Sequence, residues 1–231
     1  MWINWNKLPE TMKNEQVRSY YEKLKKKRAS LVVKRVFDIV VSLIMLILLS
    51  WLFLILAVVI KIDSPGPVFY RQVRVTTGNR DFRIFKFRTM VNNADKIGSL
   101  VTTGNDSRIT KVGAKIRKCR LDEIPQLLNI LKGEMSFVGT RPEVRKYVDR
   151  YTDEMMATLL MPAGVTSLAS ISFKDEDELI DTYTDKGMSV DDAYIQKVLP
   201  EKMNYNLEYM NHFGFWGDLK LMIRTFVSVI K

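Results

Sequence analysis

Two adjacent carboxylates, Asp122 and Glu123, stand at the head of an apolar helical repeat and are bracketed by arginines. An ionised aspartate can attack phosphorus and carry an acyl-phosphate intermediate. A carboxylate beside it can hold Mg²⁺, which offsets the charge of a pyrophosphate. At a helix start the dipole favours ionised side chains and offers free amide N–H groups to phosphate. Arg117 and Arg120 precede the pair, and Arg141 follows it in Val138-Gly139-Thr140-Arg141-Pro142-Glu143. Lys86 and Arg88 add cations in Phe85-Lys86-Phe87-Arg88-Thr89-Met90. Guanidinium forks near carboxylates suit a diphosphate ligand. Each feature also has a plainer reading: Asp-Glu ahead of a helix is ordinary capping, and any of the cations can be a surface charge or a structural ion pair. Asp122 and Glu123 are therefore the candidate catalytic residues, with Glu123 also the candidate metal ligand. Lys86, Arg88, Arg117 and Arg141 are the cations that could contact such a ligand.

The elements that must position these groups are partly legible. Ile124, Leu127, Leu128 and Leu131 repeat at helical spacing, so a helix is expected from about Asp122, with Asp122 as N-cap and Pro125 in its first turn. Val68–Val75 and Phe82–Phe87 alternate around Thr77-Gly78-Asn79, which predicts a β-hairpin. Residues 109–119 place Val112, Ile116 and Cys119 on one helical face, suiting either a core surface or a membrane interface. Residues 8–30 read as a polar helix. Residues 172–200 read as acidic and irregular, with Asp175-Glu176-Asp177-Glu178 a solvated run. Leu219, Met222, Ile223, Phe226, Val227 and Ile230 form a closing helical stripe that suits a core or a membrane surface equally. The lone His212 reads as structural. No Gly-rich strand–helix turn points to a dinucleotide-binding sheet.

Charge and hydropathy narrow the setting. Residues 1–150 carry 29 Lys and Arg against 13 Asp and Glu, whereas the remainder carries 7 against 13. A basic half of this kind meets an anionic partner, whether lipid headgroups, a phosphorylated substrate or nucleic acid. A single cysteine excludes an internal disulfide and a cysteine-based zinc site. From Ile39 to Ile60 run 22 residues without a charge, enough to cross a hydrocarbon core by length alone. Lys and Arg crowd both flanks, however, and the positive-inside rule wants both on the cytoplasmic side. A helix that bends near Ser50 and returns satisfies that rule.

The motifs then become specific. Asp63-Ser64-Pro65-Gly66-Pro67-Val68-Phe69 with Arg71-Gln72, Lys86-Phe87-Arg88-Thr89-Met90, Leu121-Asp122-Glu123-Ile124-Pro125-Gln126-Leu127, Lys132-Gly133-Glu134-Met135-Ser136-Phe137-Val138-Gly139 and Arg141-Pro142-Glu143 occur in this order. Together they resemble the monotopic phosphoglycosyl transferases, the bacterial sugar transferase family, from about Lys34 to Arg145. The resemblance implies a re-entrant membrane helix and transfer of a sugar-1-phosphate from a UDP-sugar to undecaprenyl phosphate. It also implies UMP release, a Mg²⁺ requirement, Asp122 as nucleophile and Glu123 at the metal. Arg117 and the Arg141-Pro142-Glu143 segment would face phosphates and nucleotide, so that the resemblance makes Lys86, Arg88, Arg117, Arg141, Pro142 and Glu143 the candidate substrate contacts. Three positions depart from the pattern: Ser50-Trp51 replaces Ser-Pro at the bend, Thr140 replaces a proline, and Pro162-Ala163-Gly164-Val165-Thr166-Ser167 is a loose version of a Pro-Gly-Ile-Thr-Gly segment.

The expected fold is α+β: a re-entrant helix-hairpin, interfacial amphipathic helices and a small β-hairpin around a cytoplasmic active site. Its expected parts are a basic N-terminal helix (1–35), the membrane helix (36–63) and a catalytic domain (64–231). The expected location is the cytoplasmic face of the inner membrane, with UDP-sugar, undecaprenyl phosphate and the inner leaflet as partners and no nucleic acid. A membrane-tethered binding protein for anionic lipid or nucleic acid explains the charge and the apolar run equally well. It does not explain the Asp-Glu pair among ordered motifs.

Overall fold

A computed structural model describes residues 3–94, 97, 106–173 and 176–230, without the side chains of 177, 229 and 230. After two short 3₁₀ turns, helix α1 (Glu15–Lys26) is capped by the Asn14 side chain, which accepts from Val17 N. It is shorter than the polar stretch that announced it, because the chain breaks at Lys27 and re-forms as α2 (Arg28–Leu48). Helix α3 (Ser50–Asp63) follows after a bend of 62° at Leu49. No single described helix is long and apolar enough to cross a membrane; the bent pair taken together meets that requirement by length and composition alone. The Ser50 hydroxyl donates to Ile47 O at 2.9 Å, one residue nearer than the i−4 bond that serine often makes in a bent helix.

Around the bend the side chains are apolar and exposed: Ile47, Leu48, Trp51 and Leu54, the last 71 % accessible. Both outer ends of the pair are fastened to the same body. Near the start of α2, Lys34 is buried against Asp218 (2.5 Å) and Val138 O (2.7 Å), while Arg35 donates to Ile130 O and Leu131 O. At the end of α3, Arg88 donates to Ile60 O, Ser64 O and Pro65 O. Gly66 makes that possible: at φ +131° it leaves the space that a Cβ would take from the Arg88 guanidinium. Phe87, fully buried among Leu56, Ile60 and Ile116, adds about 1.5–3 kcal/mol to the same junction.

Strands β1 (Phe69–Thr76) and β2 (Arg80–Phe87) pair antiparallel from Phe69↔Phe87 to Thr76↔Arg80, as their alternation predicted. The turn at Thr77-Gly78-Asn79 carries positive φ at Gly78 and Asn79. Helix α4 (Lys111–Lys118) is capped by Thr110, and α5 (Gln126–Lys132) ends on Gly133 at φ +79°. A second, parallel sheet joins β3 (Met135–Val138) to β4 (Ala163–Thr166), with the short α6 (Arg145–Val148) between them. Thr140 continues this ladder through Gly164 N, and its hydroxyl donates to Thr158 O; that is how the chain turns without a proline there.

The 172–200 stretch is helical rather than irregular: α7 (Leu168–Ser172), α8 (Glu176–Thr184), α9 (Val190–Ala193) and a five-residue π turn lead into α10 (Leu199–His212). Its apolar residues Ile180, Tyr194, Val198 and Leu199 form a core with Val144 and Tyr147, which fixes the helices despite the acidic surface. Asp175 lies outside the described residues. His212 is exposed on α10, its ring beside Glu208 O. Helix α11 (Phe215–Ile230) buries Asp218 and Leu221 and leaves Ile223, Phe226 and Val227 exposed.

Candidate active site

Asp122 does not cap a helix. It sits in a single 3₁₀ turn, Leu121–Glu123, and the α-helix begins only after Pro125. Pro125 lacks an amide N–H and Arg120 just ahead is left-handed (φ +52°, ψ +23°), so the dyad is set on a kinked bridge between α4 and α5. A left-handed arginine costs roughly 1–2 kcal/mol. Such strain persists only where the surroundings impose it.

The bridge is held from below by Asn129, wholly buried in α5. Its Oδ1 accepts from Phe85 N at 2.8 Å and its Nδ2 donates to Arg83 O and Glu134 Oε2. This strap brings β2, and with it Lys86, over the dyad. Lys86 Nζ lies 3.0 Å from Glu123 Oε1 and 3.8 Å from Asp122 Oδ2. Arg141 arrives from beyond β3 and reaches Glu123 Oε1 at 3.2 Å. Its approach depends on Gly139, where a Cβ would meet Pro162 O at 2.4 Å.

These groups open on one cavity of about 690 Å³. It gathers Asp122, Glu123, Lys86, Arg117, Arg141, Pro142 and Glu143 from the sequence-predicted set, and adds Arg74, Lys118, Arg120, Glu176, Tyr194 and Lys202. Seven cationic side chains thus face four carboxylates. Arg88 is the exception among the predicted contacts: it is buried at the end of α3, and its guanidinium binds backbone carbonyls rather than lining the cavity.

The two adjacent carboxylates are driven apart. Burial pushes Asp122 above the usual aspartate range, with Glu123 adding to the rise and Lys86 opposing it. Burial alone would raise Glu123 too, but Lys86 and Arg141 outweigh it and hold that carboxyl well below the usual range. Glu123 in turn raises Arg141. Opposite displacement of neighbouring groups is the pattern expected where each has its own role.

At the far wall Lys202 of α10 is buried between Glu143 (3.1 Å), Tyr194 Oη (2.7 Å) and Glu176 (3.3 Å). Tyr194 donates to Glu143 Oε1 at 2.7 Å. Burial would raise Glu143, yet Lys202 and Arg74 bring it down. Nothing in the sequence singles out Lys202, a lysine beside Met203 on α10.

Among the described residues no three His, Cys, Asp or Glu side chains converge to hold a metal by themselves. The donor set nevertheless fits Mg²⁺, which usually takes one or two carboxylates and completes its shell with water and substrate phosphates. Glu123 is firmly ionised, and both of its cationic partners reach the same oxygen, Oε1, leaving Oε2 for a metal.

Residues 29–231 match the family model described as bacterial sugar transferase. Over 201 residues, 86 % of the chain, the sequence is 37 % identical to the UDP-N-acetylgalactosamine-undecaprenyl-phosphate N-acetylgalactosaminephosphotransferase of Aeromonas hydrophila. It is 34 % identical to the UDP-glucose:undecaprenyl-phosphate glucose-1-phosphate transferase of Klebsiella pneumoniae, over 85 % of the chain. With the like-named transferase of Caulobacter vibrioides it shares 32 %, again over 85 % of the chain. The matched segment spans 44 %, 40 % and 69 % of those three proteins.

Proposed function

The chain belongs to the bacterial sugar transferase family, and we propose on that premise that it moves a sugar-1-phosphate from a UDP-sugar to undecaprenyl phosphate, initiating a cell-surface glycan. The observation that carries the reading is the Asp122-Glu123 pair, oppositely titrating and facing a cation-lined cavity. The named activities of the Aeromonas and Klebsiella relatives support it.

In the first half-reaction a carboxylate oxygen of Asp122 attacks the phosphorus that bears the sugar. The bond from that phosphorus to the bridging oxygen breaks, and UMP leaves with the bridging oxygen. Lys86, 3.8 Å from Asp122, draws the carboxylate toward its ionised form while burial keeps it weakly solvated and nucleophilic. Arg141 and Arg117 bind and orient the diphosphate by their guanidinium forks. In the second half-reaction an oxygen of the lipid phosphate attacks the same phosphorus, the acyl-phosphate bond breaks, and Asp122 is free again. Glu123, with Asp122 beside it, would hold Mg²⁺, which neutralises charge on the diphosphate when bound.

The same reading seats the protein on the cytoplasmic face of the inner membrane, with α2 and α3 as a re-entrant pair. Support comes from the bend, the exposed apolar tip and the fastening of both outer ends to one body. Cysteines placed at positions 4 and 81 in a Cys119→Ser background should both resist an impermeant thiol reagent in intact cells. Labelling of position 4 alone would mean a true span. For the reaction, UMP should be released from a UDP-sugar in the presence of undecaprenyl phosphate and Mg²⁺; no release across a panel of UDP-sugars would refute the reading.

A further inference from the structure

A second cavity, about 330 Å³, lies against the first and shares Arg120, Glu123, Ser170 and Ser228 with it. Its remaining walls are mostly hydrocarbon: Met45 of α2, Phe137 of β3, Ile171 of α7, and Met222 and Phe226 of α11. Thr166 and Thr225, hydrogen-bonded to each other at 2.6 Å, satisfy their hydroxyls across it. The mechanism above uses none of these apolar walls. The two helices that meet here, α2 and α11, also carry exposed apolar side chains: Ile44, Ile47 and Leu48 on the first, Ile223 and Val227 on the second, with Phe226 itself 68 % accessible.

A largely apolar cavity that borders a cationic one fits an amphiphile with an anionic head and a hydrocarbon tail. Arg120 stands at the border, and its left-handed backbone is the strained point of the segment that leads into the dyad. We propose that this cavity receives the first isoprene units of the lipid acceptor, with the acceptor's phosphate held by Arg120 beside Glu123 and the rest of the chain leaving between α2 and α11 into the bilayer. The inference rests on the transferase reading and adds where the acceptor sits and which way its tail runs. A cavity of this size is too small for a whole polyprenyl chain, so it selects for the units nearest the phosphate. It also sets the second nucleophile on the side of Glu123 away from the wall built by Lys202 and Tyr194, which leaves that wall to the donor.

Photolabelling of the full chain in detergent tests the proposal, using a polyprenyl phosphate with a photoreactive group on its first isoprene unit. Adducts should map to 165–171 and 222–226 and be displaced by unlabelled undecaprenyl phosphate. Phe226→Asp, at an exposed position that does not threaten folding, should raise the KM for the lipid about tenfold or more relative to that for the UDP-sugar. Adducts confined to other segments, or equal displacement by phosphatidylglycerol, would overturn it, the latter marking the cavity as a site for any bilayer lipid. UMP release by the unaltered protein, measured in parallel, separates the two readings. Turnover with adducts elsewhere sinks the cavity alone, whereas specific adducts without turnover under any UDP-sugar sink the transferase reading and leave the lipid site standing.

Discussion

The two cavities that meet at Arg120 and Glu123 are built by different means. The larger is walled by charge brought in on rigid or strapped elements: Lys86 at the end of β2, Arg141 just beyond β3, Lys202 locked among Glu143, Tyr194 and Glu176. The smaller is walled mostly by methionine, isoleucine, leucine, valine and phenylalanine from five separate stretches of chain, one of them α2. Charged walls held in place suit a ligand that is itself highly charged and must be aligned for displacement at phosphorus. Adaptable apolar walls open toward a helix pair with an exposed tip suit a chain that arrives from lipid. Glu123 borders both cavities; Lys86 and Arg141, which line only the larger one, hold it below the usual carboxylate range, whereas burial raises Asp122 one residue away.

Removing Asp122 should separate the two cavities most clearly. Asp122→Asn should lower turnover by on the order of 10⁴-fold, as loss of a nucleophile does, while photolabelling of the apolar cavity persists. Glu123→Gln should cost less, roughly 10²-fold, and should weaken the response to Mg²⁺. Arg141→Lys should raise the KM for the UDP-sugar by about tenfold, since lysine cannot supply a planar fork, and should leave the lipid KM nearly unchanged. Equal effects on both substrates would mean that the cavities are not separate sites.

Stability should separate the two carboxylates as well. Asp122 titrates above its ordinary 3.8 in the fold, so its ionised form burdens the native state above the native pKa and does not below 3.8. Asp122→Asn should therefore melt slightly higher than the unaltered protein at pH 7, with the gain closing on acidification. Glu123 is displaced the other way: its contribution is complete above 4.5 and fades as pH falls through its depressed value. Glu123→Gln should melt lower at pH 7, and the gap should narrow in acid. Shifts of the same sign would contradict the electrostatic contrast between the two.

What could be read in advance follows the same division. The hairpin was legible because alternation and Thr77-Gly78-Asn79 are local signals, and the helical spacing of Val112, Ile116 and Cys119 anticipated α4. The dyad's setting was only half legible: helical spacing from Ile124 was right, but Pro125 and the left-handed Arg120 move the helix start past Asp122. Arg88 carried the right charge in the right motif, yet its position between α3 and Gly66 turns it to backbone carbonyls. The helices of 172–200 were hidden by surface acids, although Ile180, Tyr194, Val198 and Leu199 were there to bury. Lys202 and the apolar cavity could not be read at all, because each exists only where distant segments meet.

If Asp122 carries the phospho-sugar between donor and acceptor, the carrier is visible by mass spectrometry. The intact protein, incubated with its UDP-sugar and Mg²⁺ but no lipid phosphate, should gain one sugar-phosphate and release one UMP per chain. The adduct should map to the peptide holding Asp122, vanish on adding undecaprenyl phosphate and be absent in Asp122→Asn. UMP release that occurs only when the lipid is present, with no adduct at any time, would contradict a covalent intermediate; an adduct that survives in Asp122→Asn would contradict its assignment to Asp122.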